Sequence, residues 1–300
     1  MIQLHQSGRH FLQIPGPTNV PDRILRAIER PTIDHRGPEF KGLGLEVLEV
    51  IKEIFRTKQP VIIYPSSGTG AWEAALVNTL SPGDRVLMYD TGHFASTWHK
   101  LAGKLSLDAQ LLHGSWREGA KPEEIEQALV EDKDHTIKSV CVVHNDTATG
   151  ITSDIPAIRK AIDRVGHTAL FFVDTISSLG SIDYRHDEWG VDVTVGGSQK
   201  GMMLPPGLSF NAISKKGACR FWRSEVAMFL LGLAGHAQRQ QAGSLSFYSG
   251  NQPTLWSSGI HPHAVGGRAR SGVFLTLPTR RSHTCRREGL GTGTQCAQPE

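Results

Sequence analysis

The 300-residue sequence predicts an α/β fold, a mostly parallel sheet with helices on its faces. Two observations carry this. From residue 39 to 213 short β-branched runs alternate with amphipathic segments, and no internal repeat or low-complexity linker interrupts the alternation. In chain order, 60–64 (PVIIY), 85–89 (RVLMY), 139–143 (SVCVV), 169–173 (ALFFV), 191–195 (VDVTV) and 207–213 (GLSFNAI) read as strands. Each is short and apolar, as a strand buried on both faces must be. Between them 70–80 (GAWEAALVNTL), 122–130 and 155–164 read as helices, and Ser81-Pro82-Gly83-Asp84 is the turn that stops the first of these.

Length and composition narrow the function. Three hundred residues bury a full core and suffice for an enzyme. There is no run of about 18 apolar residues and no secretory leader pattern at the N-terminus, so a cytoplasmic protein without a membrane partner is expected. The four cysteines, Cys141, Cys219, Cys285 and Cys296, show no CxxC or Cys/His metal spacing, and no metal is expected. The formal charge is +3, but residues 217–300 hold nine Arg and three Glu with neither Lys nor Asp, leaving residues 1–216 at −3. The basic character therefore comes from a segment without regular periodicity, and a nucleic-acid partner is not expected.

Three strand ends carry groups suited to chemistry. Residues 64–71 (YPSSGTGA) lie between a strand and a helix, so the amides of Ser67, Gly68, Thr69 and Gly70 sit at a helix N-terminus, where phosphate binds. Ala71 and Trp72 follow Gly70 where a nucleotide-binding P-loop needs Lys. Asp174 closes the run 169–173, at the strand edge where α/β proteins keep ligands. Lys200 ends GGSQK (196–200) after the next strand. Taken singly, a Gly-rich turn is as often a plain turn, the Asp is more often a helix N-cap, and the Lys a solvated surface residue. Together they are what pyridoxal phosphate needs: amides for the phosphate, a carboxylate for the pyridine nitrogen, and an amine for the aldehyde.

The segments IPGPTNVP (14–21), SSGTGAWEAALVNTLSPGD (66–84), HNDTATG (144–150), VDTISSLGS (173–181), DEWGVDV (187–193) and GSQKGMMLPPG (197–207) resemble class V aminotransferases of the serine–glyoxylate and alanine–glyoxylate branch, from about residue 10 to 216. The resemblance implies an aspartate-aminotransferase-like, pyridoxal-phosphate-dependent transferase fold. It implies that Lys200 forms the Schiff base and acts as general base, and that Gln199 bonds the cofactor phosphate. Ser67, Gly68 and Thr69 cradle that phosphate, Thr147 bonds the cofactor near its ring, and Asp174 pairs with the pyridinium nitrogen. Phe94 stands where some relatives stack a tryptophan on the ring, and Pro15 and Gly16 line the substrate mouth. Without the resemblance, Thr147 and Phe94 read as a turn hydroxyl and a core aromatic. The implied reaction moves an amino group from serine, or alanine, to glyoxylate, giving hydroxypyruvate, or pyruvate, and glycine, in a homodimer. A cysteine desulfurase is disfavoured because Cys219 lies where the family pattern breaks.

The expected organisation is an N-terminal arm (1–38), a cofactor-binding large domain (39–216) and a tail (217–300) in which the small C-terminal domain is missing or scrambled. Neither the Thr that reaches a neighbouring subunit's phosphate nor the Arg that clamps substrate carboxylate is visible in that tail. Back-translating 229–259 and reading one nucleotide later permits family-like strings, and the single codon of Trp256 then forces a Gly where the family has one. The tail is therefore expected to be an out-of-frame, disordered translation. A catalytically inactive remnant is the alternative function.

Overall fold

The computed structural model describes residues 11–221; residues 1–10 and the tail expectations for 222–300 lie outside them. Helices α1 (Asp22–Ile28) and α2 (Pro38–Phe55) precede strand β1 (Val61–Tyr64). Then follow α3 (Gly68–Val77), β2 (Arg85–Asp90), α4 (His93–Lys104), β3 (Asp108–His113), α5 (Pro122–Glu131), β4 (Ile137–Val143) and α6 (Ile155–Val165). Strands β5 (Leu170–Asp174), β6 (Val193–Gly197) and β7 (Ser209–Ile213) and helix α7 (Lys215–Phe221) complete it.

The strands form one sheet in the order β1-β7-β6-β5-β4-β2-β3. All neighbours are parallel except β7, which runs antiparallel to both β1 and β6. This exception places the site. Because β7 opposes both of its neighbours, β1 points the same way as β6, and Tyr64 and Gly197 pair with the same residue, Ser209. The carboxyl ends of β1, β2, β4, β5 and β6 therefore share one edge.

Both faces of the sheet are buried. Along β4, Val140 and Val142 join one apolar layer while Cys141 and Val143 join the other; along β5, Phe171 and Val173 oppose Leu170 and Phe172. All four of these β5 side chains are fully buried, each burial of this kind contributing about 1.5–3 kcal/mol. Helix α6 shows how local chemistry sets its ends. The Asp154 side chain accepts from the Ala157 amide at 2.9 Å, and Gly166 closes the helix in the left-handed region.

Several boundaries move. Helix α3 starts at Gly68 and ends at Val77 rather than spanning 70–80, and β5 extends to include Asp174 itself. Strand β6 runs over 193–197 instead of 191–195, so the two glycines before Ser198 belong to it. Strand β3 has no counterpart among the expected strands: DAQLLH contains no β-branched residue, and it lies at the sheet edge with no fully buried position. Helix α7 runs across the expected domain boundary at 216.

Candidate active site

The candidate groups other than Pro15 and Gly16 of the N-terminal arm sit at the common edge, on a strand end or on the loops and first helical turns that leave it. At the end of β1 the chain turns into α3 with Ser67 as N-cap, its backbone extended and its side chain making no cap hydrogen bond. The first helical bond runs from the Ala71 amide to the Ser67 carbonyl, so the amides before it are left at the positive end of the helix. Gly68 and Gly70 are needed for close approach. A Cβ on Gly68 would overlap Ile176 Cδ1, and one on Gly70 would lie 2.6 Å from Ser66 Oγ. Ser66 is itself held by Ser209 Oγ at 2.6 Å.

Asp174 is 3% exposed, at the end of β5. Its Oδ1 accepts from the Ile176 amide at 2.7 Å and its Oδ2 from Trp72 Nε1 at 3.0 Å. Burial pushes its carboxyl up to about 7, against the stabilising pull of those two donors; Asp146 adds to the rise and Lys200 opposes it. Burial likewise holds the Lys200 amine below the usual lysine range, with Asp174 pulling the other way.

Lys200 follows β6 and is half-buried under the N-terminal arm. Its Nζ donates to the Pro15 carbonyl. The arm is anchored there from the other side, because the Thr18 amide donates to the Gln199 carbonyl at 2.9 Å and Thr18 Oγ1 donates to the Lys200 carbonyl at 3.2 Å. Gly16 has φ +117°, and a Cβ there would stand 2.6 Å from Lys200 Cε and 2.7 Å from Nζ. Gln199 Oε1 is buried without a hydrogen-bond partner among the described residues, an acceptor turned into the site next to Gly197.

Phe94 lies in the first turn of α4, half-buried, its ring edge-on to Trp72 at 6.4 Å. The N-cap of α4, Gly92, has no side chain to offer. Asp146 from the loop after β4 supplies the cap instead: its Oδ2 accepts from the Phe94 and Ala95 amides at 3.1 and 3.2 Å, while Oδ1 accepts from the Ala148 amide at 2.9 Å. Gly92 has to be glycine, since a Cβ would lie 2.6 Å from that carboxylate. Thr147, next to Asp146, is half-buried in the turn after β4. One carboxylate thus ties the segment bearing Phe94 to the segment bearing Thr147.

Residues 11–227 match the model of the family described as Aminotransferase class-V. The chain belongs to that family. It is 49% identical over 217 residues to the serine–glyoxylate aminotransferase of Methylorubrum extorquens, covering 72% of this chain and 54% of that protein. It is 48% identical over 204 residues to the L-aspartate–glyoxylate aminotransferase of Paracoccus denitrificans, covering 68% and 52%. Among solved structures, the alanine–glyoxylate aminotransferase of Nostoc sp. superposes with a TM-score of 0.75 at 28% identity, over 83% of this chain and 65% of that one. The chain spans about half the length of the curated relatives it matches.

In this class-V chain the fold brings the expected residues to one edge, with Pro15 and Gly16 laid over Lys200 by the arm. Sequence reasoning missed two side chains. Trp72 is in sequence only a member of the 66–84 motif and of its helix, standing where a P-loop pattern breaks, and Asp146 is only one letter of HNDTATG. The absence of a capping side chain at Gly92 was the available signal that α4 draws its cap from elsewhere.

Proposed function

We propose that this chain is a pyridoxal-phosphate-dependent aminotransferase that passes the amino group of a small amino acid, serine by preference, to glyoxylate. The observation that supports it most is the placement of Lys200. Its amine is kept below the ordinary range by burial, lies within the field of buried Asp174, and is roofed by Pro15 and Gly16 beside an uncapped helix N-terminus. The residues fit the cofactor: the α3 amides suit a phosphate, to which the N–H of the Gln199 amide could add a donor, Phe94 offers an aromatic face, and Asp174 suits a protonated ring nitrogen.

When bound, pyridoxal phosphate supplies an aldehyde that condenses with amines and a ring that accepts the electron pair left at a substrate Cα. The protein's part is positional and protic. Lys200 would hold the cofactor, and its amine, kept below the usual lysine range by burial and so more often neutral, is the group that would move a proton at the substrate Cα. Asp174 would pair with a protonated ring nitrogen, whose positive charge would favour its ionised form and keep the ring an electron acceptor. Pro15 and Gly16 lie over the amine, and the Pro15 carbonyl accepts from it.

Serine is preferred on the likeness to serine–glyoxylate relatives, while the aspartate–glyoxylate relative makes the donor the variable to assay. We also propose a homodimer in the cytoplasm. Support for a partner surface comes from α1, which has no buried residue, and from Leu43, Leu45, Val50 and Ile54 exposed on α2. Among the described residues no helix is long and apolar enough to cross a membrane. The out-of-frame origin of residues 217–300 remains part of the proposal, and with it a second reading as an inactive remnant, favoured by the absence of the family's Thr and Arg motifs from that segment.

The test is to add pyridoxal phosphate to the full chain, record the visible absorbance, and assay serine, alanine and aspartate with glyoxylate. A Lys200-dependent absorbance with turnover supports the enzyme, and absorbance without turnover supports the remnant. If Lys200→Ala binds and absorbs like the parent, the reading is wrong. Resequencing the codons for 210–262 decides the reading frame.

A further inference from the structure

We propose that Trp72 is a positioning residue that fixes the direction and ionisation of Asp174, the ring-nitrogen partner; the proposal rests on the aminotransferase reading above. Trp72 lies in α3, the helix whose N-terminus is the phosphate cradle, and is 2% exposed. Its indole makes three contacts with separate purposes. The Nε1–H donates to Asp174 Oδ2 at 3.0 Å, one face stacks on Trp98 at 5.8 Å and 13°, and Phe94 meets it edge-on at 6.4 Å.

The geometry leaves little freedom to the carboxylate. Ile176 N–H holds Oδ1 and Trp72 holds Oδ2, so both oxygens are pinned and one lone pair on each remains for a ligand. The Ile176 bond is local to the β5 loop; among the described residues the Trp72 bond is the hydrogen bond that links Asp174 to the helix proposed to carry the phosphate site. Trp72 thus ties the carboxylate that would meet the ring nitrogen to the helix whose N-terminus would meet the phosphate, and its edge-on contact with Phe94 joins that aromatic to the same frame. The charged groups facing Asp174 are Asp146, from the loop after β4, and Lys200, after β6. Neither donates a hydrogen bond to it among the described residues, so Trp72 is the one side chain there that favours its ionised form by direct donation.

The test compares Trp72→Phe with Trp98→Phe in the full chain. Both remove an indole from the same stacked pair, but Trp98 Nε1 is buried without a hydrogen-bond partner among the described residues, so only the first variant deprives Asp174 of a donor. Two quantities are read: the pH titration of the bound cofactor's visible absorbance and the dissociation constant for pyridoxal phosphate. We expect Trp72→Phe to weaken cofactor binding roughly tenfold or more as the carboxylate loses its fixed direction, the scale of one hydrogen bond to a charged group, and to move the titration to higher pH, because a carboxylate deprived of that donor is more basic and holds the ring nitrogen's proton more firmly. Trp98→Phe should leave the titration where it was.

An unchanged titration in Trp72→Phe, or an equal shift in both variants, overturns the proposal and leaves the aminotransferase reading standing. A parent protein without Lys200-dependent absorbance overturns both. If Trp72→Phe is shown by circular dichroism not to fold, benzothienylalanine at position 72 keeps the ring area and removes the N–H. Its titration should then move to higher pH as well, and a titration that stays at the parent position overturns the proposal.

Discussion

Gly16→Ala separates a functional role of the arm from an ordinary backbone requirement. Its Cβ would stand 2.6 Å from Lys200 Cε and 2.7 Å from Nζ, where ordinary contact begins near 3.4 Å. The lysine is the movable partner, and clearing the contact displaces its amine by about 1 Å. A misplacement of about 1 Å at a reacting centre costs on the order of 100-fold in rate. The φ of +117° adds strain of about 1–3 kcal/mol for a residue with a Cβ. A control isolates the strain: Gly166 also has positive φ, +66°, but a Cβ there meets nothing within 4 Å. The assay is the rate at which added pyridoxal phosphate becomes covalently attached, trapped by borohydride and counted by intact mass, which needs no turnover. Gly16→Ala should slow attachment about 100-fold while Gly166→Ala, also destabilised, attaches at the parent rate. Equal rates for all three proteins would refute the idea that the arm positions the amine.

Two further outcomes follow from the carboxylates. The Asp174 carboxyl is raised to about 7 by burial, above its value of about 4 in an unfolded chain, so the cofactor-free fold binds more protons than the unfolded chain between these values. Its contribution is fully present below pH ~4 and is lost as pH rises through ~7, amounting to at most about 4 kcal/mol. Thermal unfolding of cofactor-free parent and Asp174→Asn from pH 4 to 8 should show the parent losing stability relative to the variant as pH rises, and a constant difference would contradict the burial argument. Comparing the pair removes the opposite trend of His144 and His186, whose imidazoles burial holds down at about 4. Asp146→Ala should cost about 1–2 kcal/mol, the worth of a helix N-cap, and also weaken pyridoxal phosphate binding. Unfolding and cofactor titration of one sample check both, and unchanged cofactor affinity would mean that Phe94 does not depend on this cap.

Much of the sheet was legible because its central strands are apolar on both faces, so ALFFV and SVCVV stand out against everything around them. Strand β3 was not legible, since an edge strand needs neither branched side chains nor a continuous apolar run. Helix α4 was missed for a different reason: its cap comes from Asp146, 54 residues after Gly92, and no local pattern records that. Among the proposed site residues, Lys200, Asp174 and the Ser67–Thr69 turn could be singled out from sequence because each lies at or within a few residues of a strand end, where ligands collect in such sheets.

By itself the sequence determined the α/β class, the family, and which residue types stand at which strand ends, because these are properties of local pattern and of motif spelling. Only the tertiary structure decided what each group meets. The antiparallel β7 brings the ends of β1 and β6 to Ser209 and so puts the turn into α3 and the loop bearing Lys200 on the same edge of the sheet. The arm reaches across 185 positions of sequence to place the Pro15 carbonyl on that lysine. Trp72 finds Asp174 across 102 positions, and Asp146 finds Phe94 across 52. Hydrogen bonds and burial act through distance in space, and the separation of two residues along the chain does not encode that distance.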